Sequence, residues 1–337
     1  MYTHPYHTTE LSRYSFLITG GAGFIGSNLA EYLLKYGAGK VRVLDNLSTG
    51  HMRNIQDFKS NSAFEFLNGD IRDKETCMAA ATGMNFVLHQ AALGSVPRSI
   101  VDPITTNDVN ITGFLNMLMA VKESSVQRMV YAASSSTYGD SSVLPKVEEK
   151  IGNPLSPYAV TKYVNELYAN VFASTYKMEL IGLRYFNVFG PRQDPNGAYA
   201  AVIPKFVNQL LNHESPLING DGNYSRDFTF VENVVQANIL AVFTQNPEAL
   251  NTVYNVAFGE QTTLNQLVEA LKIYLSVFDS SITGVRVVHG PNRNGDIPHS
   301  LASIDKARKF LGYSPEYNFT EGLRLAVQWY KDHNGAI

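Results

Sequence analysis

The feature that most constrains the fold is a glycine-rich stretch near the start of the chain. An apolar run over residues 16–19 stops at Gly20-Gly-Ala-Gly23-Phe-Ile-Gly26, and a helical pattern of apolar residues begins at once. Two spacings, G-x-x-G-x-x-G and G-x-G-x-x-G, can be read there, and each gives a tight turn, an unobstructed backbone and close helix packing. The unpaired N–H groups and the positive end of the helix dipole then face the same point. This stretch predicts a strand–turn–helix unit that binds the pyrophosphate of a dinucleotide.

An acidic residue follows at the position that selects the dinucleotide. A second predicted strand, over residues 40–44, ends on Asp45, about 20 residues after Gly26. A carboxylate there fits the ribose hydroxyls of the adenosine and would repel a 2′-phosphate. The sequence therefore favours NAD over NADP as the cofactor.

Composition excludes several other classes of protein. The 337 residues are 45% hydrophobic and 17% charged, with a net charge of −3, which suits one large α/β domain or two unequal ones. No basic excess points to nucleic acid, and no apolar run reaches the roughly 18 to 20 residues needed to cross a bilayer. We therefore expect a cytoplasmic protein without a membrane partner. The single cysteine, Cys77, rules out an internal disulfide, and the histidine spacing predicts no metal site.

Apolar runs that alternate with helical patterns predict the architecture. Such alternation is typical of a Rossmann-type, doubly wound parallel sheet of the α/β class, in which ligands bind at the carboxyl ends of the strands. The further runs cover residues 64–70, 86–89, 128–134 and 180–185. The residues that end these runs are therefore candidate ligand contacts.

The second half of the chain is less regular. Prolines, short elements and a loop at residues 219–225 follow residue 190 and predict a smaller C-terminal lobe. We expect an arm at 1–14, an NAD-binding domain at 15–190 and a substrate-binding lobe at 191–337. The two lobes should be intertwined as one rigid unit, because no linker separates them.

One helix combines the residue types that transfer protons. Tyr158-x-x-x-Lys162 places a phenol and an ammonium on one helix face, where the cation would lower the pKa of the phenol toward neutrality. Ser134, at the end of the fifth predicted strand, can share the substrate proton. The same spacing occurs at Tyr36 and Lys40, but there a helix ends before a strand begins. The context therefore favours Tyr158.

Seven short motifs follow one another along the chain. They are Thr19-Gly-Gly-Ala-Gly-Phe-Ile-Gly26, Asp45, Asp70-Ile71, His89-x-Ala-Ala92, the serine run before Tyr138-Gly139, Tyr158-x-x-x-Lys162 and Arg184-Tyr-Phe-Asn-Val-Phe-Gly190. Together they resemble the extended short-chain dehydrogenase/reductase family over about residues 14–329. Within that family the chain is most similar to the nucleotide-sugar 4-epimerases, and closest to the bacterial UDP-N-acetylglucosamine 4-epimerase group.

The resemblance implies roles for the proton-transfer residues and a cofactor site. Tyr158 would be the acid/base, Lys162 its partner and a contact to the nicotinamide ribose, and Ser134 the hydroxyl that orients the sugar 4-OH. The implied NAD contacts are Gly20, Gly23, Phe24, Ile25, Gly26, Asp45, Asn46, Ser48, Thr49, Gly50, Asp70, Ile71, Gln90, Ala91, Ala92, Asn110, Tyr158, Lys162, Tyr185 and Val188.

The resemblance also implies a UDP-sugar site and a homodimer. Asn187, Arg226 and Arg293 would hold the diphosphate, and fork-shaped guanidiniums match phosphate oxygens well. Helical patterns at 111–123 and 158–175 have apolar positions on more than one face, as expected for helices paired across a twofold axis. The implied substrate contacts are Ser95, Val96, Ser135, Ser136, Asn187, Ala201, Val202, Lys205, Phe206, Asn219, Arg226, Arg293, Asp296 and Ser300.

Two departures from related enzymes bear on the reaction and the sugar. Relatives that remove water carry a carboxylate just past the serine, whereas this chain has Ser134-Ser-Ser-Thr-Tyr138. Galactose epimerases carry a lysine where this chain has Gly94, and enzymes restricted to unacetylated sugars carry a tyrosine where it has Ser300. We therefore expect 4-epimerisation of UDP-N-acetylglucosamine and UDP-N-acetylgalactosamine, or of their uronic acid forms. The alternatives are a UDP-glucose/UDP-galactose 4-epimerase, a net NAD-dependent oxidoreductase or dehydratase, and a silent NAD-binding scaffold.

Overall fold

A seven-stranded parallel sheet forms the centre of the computed structural model, which describes residues 1–196, 200–291 and 297–333. The strands in chain order are β1 (Ser15–Thr19), β2 (Lys40–Asp45), β3 (Phe64–Asn68), β4 (Phe86–His89), β5 (Arg128–Ser134), β6 (Leu180–Tyr185), β7 (Val188–Phe189), β8 (Leu217–Asn219), β9 (Ser225–Arg226), β10 (Thr229–Phe230), β11 (Thr252–Val256), β12 (Thr262–Thr263) and β13 (Val288–Gly290). The sheet order is β11-β6-β5-β4-β1-β2-β3. The order in which strands are added reverses at β1, which pairs in parallel with β2 on one side and β4 on the other. This switch point is where doubly wound sheets bind their ligands.

The predicted fold class is confirmed, and the six predicted strands all lie in the sheet. The seventh strand, β11, was not predicted. It pairs with β6 in parallel and comes from the stretch assigned to the C-terminal lobe. The two predicted lobes therefore share one sheet.

Helices cover both faces of this sheet. They are α1 (Phe24–Lys35), α2 (Lys74–Ala81), α3 (Val96–Val101), α4 (Pro103–Asn107), α5 (Gly113–Glu123), α6 (Pro157–Tyr176), α7 (Val202–Leu211), α8 (Val231–Phe243), α9 (Leu264–Ser276), α10 (Asp305–Leu311) and α11 (Phe319–Asp332). Ile18 of β1 packs in the core with α1 and α8, whereas its neighbour Leu17 packs in the core with α2 and α5. Successive side chains of a strand point to opposite faces, so one short strand anchors both layers.

The start of α6 is well specified by its sequence. Ser156 accepts a hydrogen bond from the Ala159 N–H at 3.1 Å, and Pro157 occupies the first helical position. Both are typical N-terminal helix signals. They fix where α6 begins and therefore place Tyr158 in its first turn.

The C-terminal lobe has a hydrophobic core of its own. Helices α7, α9 and α11 pack together around Phe206, Leu271 and Val327. Three two-stranded sheets accompany this layer, formed by β7 with β10, β8 with β13 and β9 with β12. None of the helices in the described ranges is long and apolar enough to span a membrane.

The two helices expected at a dimer interface differ in exposure. The apolar side chains of α5 pack under α2 and against the sheet. In contrast, α6 exposes Leu167 and Val171, at 49% and 56%, and the adjoining helix α4 exposes Ile104 at 81%. The exposed apolar surface therefore lies on α6 and α3–α4 rather than on α5.

Candidate active site

The carboxyl ends of the central strands border a cleft of about 440 Å³. Its walls come from the ends of β1, β2, β4, β5 and β6, as expected for this fold. The predicted residues that line it are Gly20, Gly23, Phe24, Ile25, Gly26, Asp45, Asn46, Ser48, Thr49, Ile71, Gln90, Ala91, Ala92, Ser134, Tyr158, Lys162, Tyr185, Asn187 and Val188. Leu44, Gly69, Gly94, Arg98, Ala132 and Ala133 also line it.

The glycine-rich turn is packed so closely against the backbone that side chains would not fit at Gly20 or Gly26. Gly20 has φ +67°, and a Cβ there would lie 2.7 Å from the Ala91 nitrogen. A Cβ on Gly26 would collide with the Gly20 carbonyl oxygen. Helix α1 begins at Phe24 with no side chain capping its first turn. The first N–H groups and the helix dipole therefore face the cleft, as a pyrophosphate requires.

Asp45 is fixed by backbone groups at the β2 end of the cleft. Its carboxylate accepts hydrogen bonds from the Ala22 N–H at 2.9 Å and the Leu47 N–H at 2.8 Å. Burial raises the pKa of Asp45, and these N–H groups oppose the rise. A Cβ on Gly50 would lie 2.9 Å from the carboxylate, so Gly50 packs against Asp45 without lining the cleft. Two carboxylate oxygens retain acceptor capacity beyond two hydrogen bonds, which suits ribose hydroxyls.

Asp70 does not line the cleft. Its carboxylate pairs with Arg72 at 2.8 Å and accepts from Asn46 Nδ2 at 2.8 Å. The hydrogen bond from Arg72 lowers the pKa of Asp70 to about 2. Its neighbours Gly69 and Ile71 form the wall instead.

Ser134, Tyr158 and Lys162 meet at the other end of the cleft. Ser134 Oγ accepts from the Ser136 N–H at 3.1 Å and lies 2.9 Å from Ser136 Oγ. Ser135 and Ser136 belong to the helical turn that follows β5 and do not line the cleft. Tyr158 and Lys162 project from the same face of α6, and Lys162 Nζ donates to the Ala132 carbonyl at 2.7 Å. Tyr158 is hydrogen-bonded to Ser134, and both line the same cleft as Lys162.

The ionisation of this group differs from the expectation that Lys162 lowers the pKa of Tyr158. Burial raises the pKa of Tyr158, and a hydrogen bond to Ser134 opposes the rise. Burial also lowers the pKa of Lys162 to about 8. The reason is that the ammonium is directed at the Ala132 carbonyl, while desolvation disfavours the charged form of both residues.

A polar cluster that sequence reasoning missed holds Tyr185. Its phenol donates to Gln90 Oε1 at 3.1 Å and accepts from Asn238 Nδ2 at 2.9 Å. Asn238 lies in α8, far from any motif in the sequence, so no local signal marks it. The cluster joins the ends of β4 and β6 at the floor of the cleft.

Asn110 acts behind the wall of the cleft. It lies in a π-helical turn, Asp108–Thr112, and its side chain bonds both the N–H and the carbonyl of Leu93, at 2.8 and 3.2 Å. Such turns are frequent at functional sites. Leu93 precedes Gly94, so Asn110 positions the loop that enters α3. In that loop Ser95 caps α3 and Val96 begins it, while Gly94 and Arg98 line the cleft.

The predicted substrate residues of the C-terminal lobe are only partly brought to the cleft. Asn187 lines it and donates to the Asp227 carbonyl at 3.3 Å. Arg226 Nη1 donates to the Pro298 carbonyl at 3.2 Å, and Ser300 N–H donates to the Ser225 carbonyl, so Arg226 and Ser300 share one corner. Arg293 and Asp296 lie outside the described residues.

The other residues of this group are spread over the lobe. Ala201 and Lys205 are exposed at the start of α7, and Val202 and Asn219 are half-buried. Phe206 is 2% exposed in the core of the lobe, so its ring has little surface left for a nucleotide. None of these five lines the cleft.

The cleft residues that the sequence did not single out as contacts have a simple signal. Leu44 precedes Asp45, Gly69 precedes Asp70, and Ala132-Ala133 precede Ser134. Each lies near or just past the carboxyl end of a strand, at the edge of the sheet where ligands bind. Extending each predicted contact back by one or two residues would have found them.

Comparison with known proteins agrees with this geometry. The family model described as GDP-mannose 4,6 dehydratase matches residues 17–326. The UDP-N-acetylglucosamine 4-epimerase of Methanobrevibacter ruminantium, solved with UDP-N-acetylmuramic acid, is 38% identical, with a TM-score of 0.87 over 95% of this chain and 99% of that one. The UDP-glucose 4-epimerase of Thermotoga maritima, solved with UDP-glucose, is 36% identical, with a TM-score of 0.86 over 95% and 99%. The UDP-glucose 4-epimerase of Thermus thermophilus, solved with NAD, is 34% identical, with a TM-score of 0.83 over 96% and 100%. This chain therefore belongs to the extended short-chain dehydrogenase/reductase family, among its NAD-dependent nucleotide-sugar 4-epimerases and dehydratases.

Proposed function

We propose that the protein is an NAD-dependent 4-epimerase that interconverts UDP-N-acetylglucosamine and UDP-N-acetylgalactosamine, or their uronic acid forms. The observation that carries the choice of reaction is the position of charge in the cleft. Asp45 is the one carboxylate among the described residues that line it, and two strands, β1 and β4, separate its strand from that of Ser134. A dehydratase needs an acid beside the sugar to protonate the leaving hydroxyl. A cleft whose described lining has no carboxylate beside Ser134 supports epimerisation instead.

The residues of the cleft divide the work between binding and proton transfer. Bound NAD would supply the acceptor and donor of the C4 hydride. The glycine turn would hold its pyrophosphate, and Asp45 its adenosine ribose. Tyr158 would take the proton of the sugar 4-OH as C4 loses its hydride. It would return a proton after the 4-keto sugar has rotated to present its other face. Ser134 would orient the 4-oxygen, and Lys162 would supply positive charge next to it.

The wall at Gly94 supports an acetylated sugar. Gly94 lines the cleft, and a Cβ built on it has no heavy atom within 4 Å. The wall is therefore open where galactose epimerases carry a lysine. Ser300, in place of a tyrosine, leaves further room if its corner closes over the sugar. A 2-acetamido group needs such space in both orientations, because the keto intermediate rotates.

Incubation with separate UDP-sugars, without added cofactor, tests this proposal. We expect NMR of the anomeric region to show UDP-N-acetylglucosamine and UDP-N-acetylgalactosamine, or the corresponding uronic acids, reaching equilibrium faster than UDP-glucose and UDP-galactose. Faster turnover of the unacetylated pair would instead identify a UDP-galactose 4-epimerase. A stoichiometric oxidised product, formed only when NAD is added, would identify a net oxidoreductase.

Two substitutions at one position test the size of the sugar pocket. Ser300→Tyr should abolish turnover of the acetylated pair and leave some activity on UDP-galactose, because overfilling a pocket excludes a ligand more strongly than losing one contact weakens it. Ser300→Ala is the matched control, and it should keep acetylated turnover because it adds no volume. Wild-type conversion of UDP-N-acetylglucosamine by Ser300→Tyr would remove Ser300 as the determinant and leave the loop from Gly94 to Ser99.

A further inference from the structure

The first residues of the N-terminal arm (1–14) contact helices α1 and α8. The backbone N–H of Tyr2 and the phenol of Tyr6 both donate to Glu232 Oε1 on α8, at 2.6 and 3.0 Å. The ring of Tyr6 stacks on Tyr32 of α1 with centroids 5.6 Å apart, and its N–H donates to the Tyr32 phenol at 2.7 Å. The arm is therefore part of the packed structure.

Tyr2 extends this anchoring toward the cleft. Its φ of +60° is a conformation that bulky residues rarely adopt, and such strain persists only where surrounding contacts hold it. The side chain is fully buried, and its phenol lies 3.1 Å from both the carbonyl oxygen and Oδ1 of Asn28. The contacts of Tyr2 are thus strong enough to hold a strained backbone.

Asn28 joins two walls of the cofactor cleft. It lies one turn into α1, is fully buried, and donates from Nδ2 to the carbonyls of Phe24 at 2.9 Å and Pro191 at 3.1 Å. Phe24 opens α1 and lines the cleft, and Pro191 follows the segment in which Val188 lines it from the other side. A carboxamide donates only from its nitrogen and accepts at its oxygen. The two carbonyls therefore select the orientation in which Nδ2 faces them, and the Tyr2 phenol supports that orientation by donating to Oδ1.

We propose that Tyr2 is a positioning residue for the bound dinucleotide. By fixing the Asn28 amide, it holds the first turn of α1 against the segment after β7 and slows release of a cofactor whose pyrophosphate lies on that turn. This inference rests on the proposed NAD site. The family model begins at residue 17, so the arm lies outside the match that supports that site.

A pair of single-atom deletions tests the assignment. Tyr2→Phe keeps the ring and removes the oxygen at Asn28, whereas Tyr6→Phe, the matched control, removes an oxygen bonded to Glu232. The full-length proteins are loaded with NADH and chased with excess NAD, and release is followed by NADH fluorescence. We expect release from Tyr2→Phe to be about three- to tenfold faster, the ratio expected for one lost hydrogen bond, and release from Tyr6→Phe at the wild-type rate. Thermal midpoints measured on the same samples report any general loss of stability.

Three results would overturn the inference, and they are distinguishable. Wild-type release from Tyr2→Phe would show that the phenol does not act on the cofactor. Equal acceleration in both variants would show that the arm acts only through general stability. A wild-type protein that binds neither NADH nor NAD would overturn the proposed cofactor site, and this assignment with it.

Discussion

Replacing Tyr158 with Phe should separate proton transfer from binding. The change removes one phenolic oxygen, the partner of Ser134, and leaves the ring on the same face of α6. Lys162 remains anchored on the Ala132 carbonyl, and the glycine turn and Asp45 are unaffected. Binding of NAD and UDP-sugar should therefore change by at most one hydrogen bond, about 1 kcal/mol or a factor of about five. Turnover should fall by about 100- to 10,000-fold, the usual contribution of a positioned proton donor.

The assay compares two quantities on the same preparation. Epimerisation of the best UDP-sugar is followed by NMR at saturating NAD, and binding of the UDP-sugar is measured by calorimetry. Tyr36→Phe is the control, because Tyr36 shares the Tyr-x-x-x-Lys spacing but ends α1 and donates to the carbonyl of Tyr2. It should turn over at nearly the wild-type rate. A Tyr158→Phe enzyme with near-wild-type kcat, or one whose whole loss lies in substrate affinity, would refute the role of the phenol.

Three further predictions concern the cofactor, acid stability and assembly. Asp45→Ala should weaken NAD binding and reduce the preference for NAD over NADP, and nucleotide released from the denatured wild-type protein should be NAD; finding NADP there would contradict the role of the carboxylate. Burial lowers the pKa of His89 to about 3, so below its ordinary pKa of 6.5 the unfolded chain binds more protons than the folded one. The free energy of unfolding should then fall by up to about 1.4 kcal/mol per pH unit between those values, and urea titrations at pH 7 and 5.5 should show a smaller loss for His89→Gln. The exposed apolar surface on α6 and α4 should form the interface of a homodimer, and Leu167→Glu should weaken that dimer. Light scattering that finds only monomer at low micromolar concentration would refute the dimer.

The fold was largely predictable because its signals are local. Parallel strands buried on both faces read as continuous apolar runs, and each run ended within a residue or two of the strand in the structure. The strand β11 was missed because it lies at the sheet edge and mixes Thr252, Tyr254 and Asn255 with two valines. An edge strand of this kind is hard to separate from a loop before its neighbour is known.

The lining of the cleft was predictable where backbone position decides it, and less so where side chains compete for partners. The glycine turn and Asp45 follow from the order of strand, turn and helix. Asp70 lies two residues past the end of β3, but Arg72 and Asn46 hold its carboxylate away from the cleft wall. Phe206 lies on the apolar face of α7 and packs into the core, since that face is the one a helix buries. The partner that each side chain takes depends on neighbours in space, which the strand and helix patterns do not reveal.

The group of Ser134, Tyr158 and Lys162 shows how a spacing pattern can place residues and still mispredict their pKa shifts. Spacing alone puts Lys162 beside Tyr158, but it does not reveal that the Ala132 carbonyl receives the ammonium. With burial raising the pKa of Tyr158, the phenol is protonated at neutral pH, which is the state that donates a proton to a 4-keto sugar. Oxidation of the 4-OH needs the opposite state, so it depends on whatever stabilises the phenolate as the substrate proton moves. Ser134 and the Lys162 ammonium are the groups placed to do this, and burial leaves the pKa of Lys162 at about 8. The two half-reactions of an epimerase would therefore need opposite protonation states of Tyr158, and burial favours the protonated state, which donates.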